Sequence, residues 1–178
     1  MILISAGHHP KSLGACHDGF CEHDEAVRWV VELLQHFDET EAAAVPAGTL
    51  AEKTDYINKR QPKLAVEIHF NSLYANKTVD AERGCMQLYY PGSETGKRAA
   101  QIVQDALAPL FPPDLGVREG FYRLDPTMGV DWFLAKTSCV ALILEPEFID
   151  RKDEIVTKRA QACLALAEAL KKIVKEAV

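Results

Sequence analysis

The chain has 178 residues, 48% hydrophobic and 26% charged, the balance of one globular domain large enough to bury its own core. A formal charge of -6 argues against a general attraction to nucleic acid or to anionic membrane surfaces. No stretch approaches the roughly 20 apolar residues of a membrane span, and "MILISAG" has neither the basic start nor the apolar length of a secretory signal, so a cytoplasmic chain without membrane insertion is expected.

"ILISA" (2–6) reads as a short buried strand, followed by the polar loop "GHHPKSLGACHDGFCEH". In "DEAVRWVVELLQHF" Val27, Val30, Val31, Leu34 and Phe37 recur at helical spacing, with Asp24 as the expected N-cap and Glu25 in the first turn. "EAAAVPAG" (41–48) is a strand candidate ending at Pro46 and Gly48. "TLAEKTDYINKR" carries Thr49 with Glu52 three residues on, the pattern of a capping box. "KLAVEIHFNS" (63–72) alternates, placing Leu64, Val66, Ile68 and Phe70 on one side. "GCMQLYYPG" (84–92) is a strand stopped by Pro91 and Gly92, and "SETGKRAAQIVQDALAPLF" a helix capped by Ser93. A long irregular loop is expected over "PPDLGVREGFYRLDPTMG", then a short helix over "VDWFLAKT" with Trp132 and Phe133 in the core. "SCVALILEP" (138–146) is a continuous apolar run, read as a central strand, and an amphipathic helix closes the chain through Val178. Strands alternating with helices, without repeats or linkers, predict a single α/β domain over 1–178, with a mostly parallel twisted sheet flanked by helices.

In such sheets ligand sites gather beyond the carboxyl ends of the strands. Three predicted strands end there in groups able to bind metal or move protons: the first at His8, the third at His69, and the last at Glu145. Glu22, just before the first helix, can reach the same rim. Two histidines and a carboxylate, with a position left for water, form a known catalytic zinc set, and a further carboxylate would serve as general base and acid. Burial at the end of an apolar strand suits Glu145 to that role, because it raises a carboxyl pKa. Each residue alone has a plainer reading. A strand-end histidine can be a hydrogen-bonded structural residue, Glu22 a helix-start carboxylate favoured by the dipole, and Glu145 a salt-bridge partner. The ligands are dispersed, and no compact HExxH-type motif supports them.

At these residues the sequence resembles the zinc-dependent N-acetylmuramoyl-L-alanine amidases of the amidase-3 family. "ISAGHHP" is similar to the family's first strand and its D-A-G-H-G-G motif. "CEHDEAVRWVVELL" resembles the segment supplying a glutamate before the first helix, "AVEIHFNS" the S-I-H-x-N-x strand, and "VALILEPEFID" the late strand with its glutamate. The resemblance implies the zinc-exopeptidase-like, phosphorylase/hydrolase-like fold and a peptidoglycan or muropeptide substrate. It makes His8, Glu22 and His69 the ligands of Zn2+ and Glu145 the catalytic carboxylate. The reaction implied is hydrolysis of the amide between N-acetylmuramic acid and the L-alanine of the stem peptide. The sequence departs from the family at His9 and Pro10, where glycines are usual, and at Pro146 and Glu147 after the proposed base. Glu25 is the fallback ligand should the placement of the first helix be off by a turn.

Asn71 shares a strand side with His69 and could orient substrate or hold its loop. Arg118, Arg123 and Asp125 could meet stem-peptide carboxylates or form a solvated loop. Cys16, His17, Cys21 and His23 could make a Cys2His2 zinc site, although not at zinc-finger spacing. A Cys16–Cys21 disulfide would fit action outside the cell, and two reduced thiols are the plain alternative. Five scattered cysteines give no disulfide framework, and Cys139 and Cys163 are expected in the core. The expectation is a monomeric zinc amidase, possible as a phage or prophage endolysin released to the wall by a separate lysis protein. A zinc peptidase acting on another amide and a non-catalytic muropeptide-binding protein stay open as alternatives.

Overall fold

The first strand, β1 (Ile2–Ala6), is an interior strand of a six-stranded sheet, flanked on both sides by other strands and buried over Ile2–Ser5. In a computed structural model, which describes residues 1–73 and 82–176, the strands are β1, the hairpin pair β2 (Cys16–His17) and β3 (Phe20–Cys21), β4 (Ala42–Ala44), β5 (Leu64–Ile68), β6 (Cys85–Tyr89), β7 (Asp114–Glu119) and β8 (Val140–Glu145). The helices are α1 (Glu22–Leu34), α2 (Leu50–Arg60), α3 (Glu94–Leu107), α4 (Trp132–Lys136) and α5 (Lys152–Glu176). The main sheet has the order β4-β1-β5-β8-β6-β7, parallel except where β6 meets β8. The expected single α/β domain with a mostly parallel sheet is what the chain forms. The last two positions of the expected closing helix lie outside the described residues.

Strand alternation sorts the core into two layers. Leu64, Val66, Ile68 and Phe70 face α1, α3 and α5, together with Trp29, Val103 and Leu166. Trp29 stacks edge-on against Phe70 at 5.5 Å between ring centres. Leu3, Ala65 and Ile143 face the other way, against Ile57 of α2 and Phe133 and Leu134 of α4. The side chains continuing that second face toward the strand ends are Ser5 on β1, Glu67 and His69 from β5, and Glu145 on β8. The apolar layer therefore gives way to a polar end at the carboxyl rim.

Local signals set most element ends. Thr49 and Glu52 form the capping box of α2, and the Ser93 hydroxyl accepts the Gly96 N–H to cap α3. Four expectations are corrected. The N-cap of α1 is Cys21, not Asp24, so Glu22 opens the helix and Asp24 and Glu25 lie in its first turn. The expected loop over 112–129 contains β7 and two 3-10 turns, Tyr122–Leu124 and Pro126–Met128. Its polar residues and Gly116, at φ +77°, hide the edge strand's alternation of Leu115 and Val117. Trp132 is 49% exposed while Phe133 is buried, because the short helix α4 turns only one of them inward. Cys163 is buried as expected, but Cys139 is only half-buried.

Cys16 and Cys21 are joined in a disulfide, so the loop thiols are not both reduced. No Cys2His2 site forms from the cluster. His23 is buried, donating from Nδ1 to the Gly7 carbonyl at 2.7 Å, while His17 faces Asp18 in solvent. The bridge closes a loop of sequence separation 5 directly before Glu22. By loop-closure entropy it contributes about 2 kcal/mol. Reduction is expected to lower Tm by roughly 4–8 °C. Melts with and without reductant check this; coincident melts would contradict it.

Candidate metal centre

The tip of β1 turns sharply. Gly7 donates its N–H to the Ile68 carbonyl at 2.7 Å, and His8 follows at φ 58°, a left-handed conformation uncommon outside glycine. This turn swings the His8 ring over the rim toward α1 and β5. Glu22 comes to the same place from the first position of α1, 5% exposed. His69, one residue beyond β5, is fixed by its backbone N–H on the Leu144 carbonyl at 2.8 Å.

The three side chains converge. Glu22 Oε2 lies 2.9 Å from His8 Nε2, and Glu22 Oε1 lies 2.7 Å from His69 Nδ1. The rings of His8 and His69 meet edge-on at 5.0 Å between centres. Glu22 also accepts the Ala15 N–H at 3.1 Å and the Phe70 N–H at 3.2 Å, so the loop and β5 both hold it. One ligand atom from each of His8, Glu22 and His69 lies within 4.8 Å of the others, the arrangement of a possible metal site. Two imidazoles and a carboxylate suit zinc. Space is kept for such a centre by glycine. A Cβ on Gly14, at φ +75°, would come within 2.4 Å of the His8 ring and 2.5 Å of Glu22 Oε2, and one on Gly7 within 2.7 Å of the His69 ring.

Electrostatics of the cluster follow from shared protons. Burial opposes ionisation of Glu22, but hydrogen bonds from His69 and His8 outweigh it and hold the carboxyl well below the usual range. Burial likewise opposes protonation of His69, yet bonds to Glu22 and Glu67 raise its pKa well above 6.5. At the end of β8, burial pushes Glu145 up to about 8, with the charges of Glu22 and Asp131 adding and that of His69 opposing. Among the described residues Glu145 Oε2 is enclosed without a hydrogen-bond partner, so that carboxyl oxygen is committed to nothing in the fold.

These shifts set a pH dependence for the chelated protein. A group whose pKa is higher folded than unfolded adds stability at low pH and loses it as pH rises through the folded value. Glu145 therefore withdraws stability between about 4.5 and about 8, and His69 does so from 6.5 upward. Glu22 and Glu67, both lowered, act only below 4.5. Urea midpoints of chelated protein are expected to fall from pH 5 to pH 8, with Glu145→Gln flattening the decline in part. A midpoint rising over that interval would contradict the shifts.

The centre lies in a cleft of about 760 Å³ whose wall includes His8, Glu22, His69, Asn71, Arg123 and Glu145. The Asn71 side chain accepts the Ser72 N–H at 2.7 Å, and its backbone pairs with residues after β8, so it fastens the loop while facing the cleft. Arg123, at φ 53°, is the one arginine or lysine among the described lining residues. Arg118 is exposed on the edge strand β7 and is not among the described residues that line the cleft, because β7 lies two strands from the β8 rim. Asp125 is occupied in capping Thr127. Glu25 is fully buried with Arg28 and Arg159, away from the centre. His9 turns back in a loop, its Nδ1 accepting the Lys11 N–H at 3.3 Å. Three residues escape the sequence reading: Asp131 in the cleft wall, and the buried pair Lys53 and Glu67. The signal for Glu67 was a lone charge inside the apolar strand "LAVEI"; Lys53 gave none, because it sits in a helix rich in charge.

A family model described as N-acetylmuramoyl-L-alanine amidase matches residues 2–176. No curated protein matches the chain. Several solved structures share the fold. An N-acetylmuramoyl-L-alanine amidase from Clostridium difficile 630 superposes with a TM-score of 0.81 at 16% identity, covering 98% of this chain and 96% of that one. The catalytic domain of CwlV, an N-acetylmuramoyl-L-alanine amidase from Bacillus (Paenibacillus) polymyxa var. colistinus, gives 0.79 at 17% identity, covering 98% and 97%. The catalytic domain of the CD27L endolysin targeting Clostridia difficile gives 0.73 at 22% identity, covering 96% of each.

Proposed function

From a chain that belongs to the N-acetylmuramoyl-L-alanine amidase family and is a peptidoglycan amidase, we propose a zinc-dependent reaction in which His8, Glu22 and His69 hold the metal and Glu145 transfers the proton. The observation that carries this reading is the convergence of the three ligand atoms within 4.8 Å beside a buried carboxyl oxygen that has no hydrogen-bond partner among the described residues. Zinc bound there would lower the pKa of its water toward neutrality and polarise the scissile carbonyl.

The side chains supply the rest. The cleft presents the muramoyl–alanine amide to Glu145, whose enclosed Oε2 accepts a proton from the attacking water. The water oxygen adds to the carbonyl carbon and the C–N bond breaks. Glu145 returns its proton to the leaving nitrogen, which departs as the free amine of L-alanine, and the lactyl group keeps a carboxylate. Burial of Glu145 favours its protonated form, which suits it to giving that proton back. Arg123 is proposed to meet a carboxylate of the stem peptide at the cleft wall. One chain supplies every proposed group, which fits a monomer. The Cys16–Cys21 bridge supports an oxidising place of action at the wall.

Product analysis tests the reading. A soluble N-acetylmuramoyl-peptide should yield equal amounts of muramic acid with a free lactyl carboxylate and stem peptide with a free L-alanine amino terminus, by mass spectrometry. Cleavage within the stem or between sugars would overturn it.

A further inference from the structure

Lys53 is only 2% exposed, although it lies on the second turn of α2 in a helix otherwise rich in solvated charge. Its Nζ donates to the carbonyls of Ala6 at 2.5 Å and His8 at 2.6 Å, and to Glu67 Oε1 at 2.9 Å, which accounts for all three ammonium protons. Glu67, 1% exposed, also accepts from the Ser5 hydroxyl at 3.2 Å and, through Oε2, from His69 Nε2 at 3.1 Å. One continuous set of contacts thus runs from the His8 backbone through Lys53 and Glu67 to the His69 ring.

A buried ion pair is weak evidence for stability, because desolvation offsets its attraction. Its placement here says more. His8 and His69 come from different strands, and His8 sits in a left-handed conformation that the surroundings must hold. Lys53 grips the His8 carbonyl. Glu67 takes one nitrogen of His69 and leaves Nδ1 facing Glu22 and His8.

We propose that the buried Lys53–Glu67 pair positions both histidines of the metal centre, with Glu67 selecting His69 Nδ1 as the ligand atom and Lys53 fixing the turn that presents His8. The inference rests on the reading that His8, Glu22 and His69 bind zinc. Hydrogen-bonded carboxylates behind a metal-ligating histidine fix its ring and raise its basicity, and their loss weakens metal binding by about 10–100-fold.

The test is zinc affinity, by competition with a chromophoric chelator, for the wild type, Glu67→Gln and the double variant Lys53→Met/Glu67→Gln, each checked for folding by circular dichroism. The double variant leaves no unpaired charge at the Lys53–Glu67 position and keeps the question answerable should the single variant fold poorly. Folded variants should bind zinc about 10–100-fold more weakly. In zinc-loaded wild type, 15N shifts of the His69 ring should report a protonated Nε2 and a metal-bound Nδ1, which a merely structural pair would not dictate. Wild-type affinity in a folded variant, or zinc on Nε2 of His69, would overturn the inference while leaving the proposed function standing. A wild-type chain that binds no zinc would overturn the proposed function and the inference with it.

Discussion

Replacing Glu145 by glutamine is expected to lower kcat/KM by about 10²–10⁴-fold while zinc content stays that of the wild type. The side chain ends β8 beside the three proposed ligands but is not one of them, and its Oε2 bonds to nothing among the described residues. Glutamine fills the same volume and can neither accept nor return a proton. The loss should fall on kcat, since the group acts on atoms that change charge in the transition state. Steady-state kinetics with a soluble muramoyl-peptide, paired with metal analysis of the same preparation, decide the point. A variant with full activity contradicts the assigned role. One that is inactive and also metal-free moves Glu145 into the ligand set.

Glu22→Ala is expected to have the second large effect, and on two properties at once. Among the described residues Glu22 is the one side chain paired with both histidines. Its removal should weaken zinc binding by at least about 100-fold, beyond the effect of losing an outer partner of a ligand. It also takes the acceptor from the Ala15 and Phe70 N–H groups, and a buried donor left unmade costs about 1–3 kcal/mol. Zinc titration and urea unfolding of one variant read both. Undiminished zinc binding would remove Glu22 from the site, and stability equal to the wild type would show the two N–H groups satisfied elsewhere.

Much of this was legible in the sequence where function coincides with a strand end. His8, His69 and Glu145 stand after apolar runs, and parallel topology necessarily brings such ends to one rim. The capping box at Thr49 and the cap at Ser93 are local chemistry, and local chemistry reads directly. What escaped depends on contacts between distant segments. Lys53 has the pattern of a surface lysine, and only the approach of α2 to the tip of β1 buries it. Arg118 and Arg123 look alike in one stretch of sequence, yet one lies on an edge strand and the other on the cleft wall. The Cys16–Cys21 bridge was open among three readings, because pairing depends on how the loop folds back against α1. The edge strand β7 was hidden because one apolar face interrupted by Gly116 carries little periodic signal.

In this peptidoglycan amidase His8, Glu22 and His69 are proposed to hold zinc together beside Glu145. Anomalous diffraction from zinc-loaded crystals, collected on either side of the zinc absorption edge, tests it most directly. One peak is expected, bounded by His8 Nε2, a Glu22 carboxylate oxygen and His69 Nδ1, with zinc–nitrogen distances of about 2.0–2.1 Å and Glu145 facing the remaining coordination position. A peak held by other residues, or none between these three in crystals soaked with zinc, would contradict it.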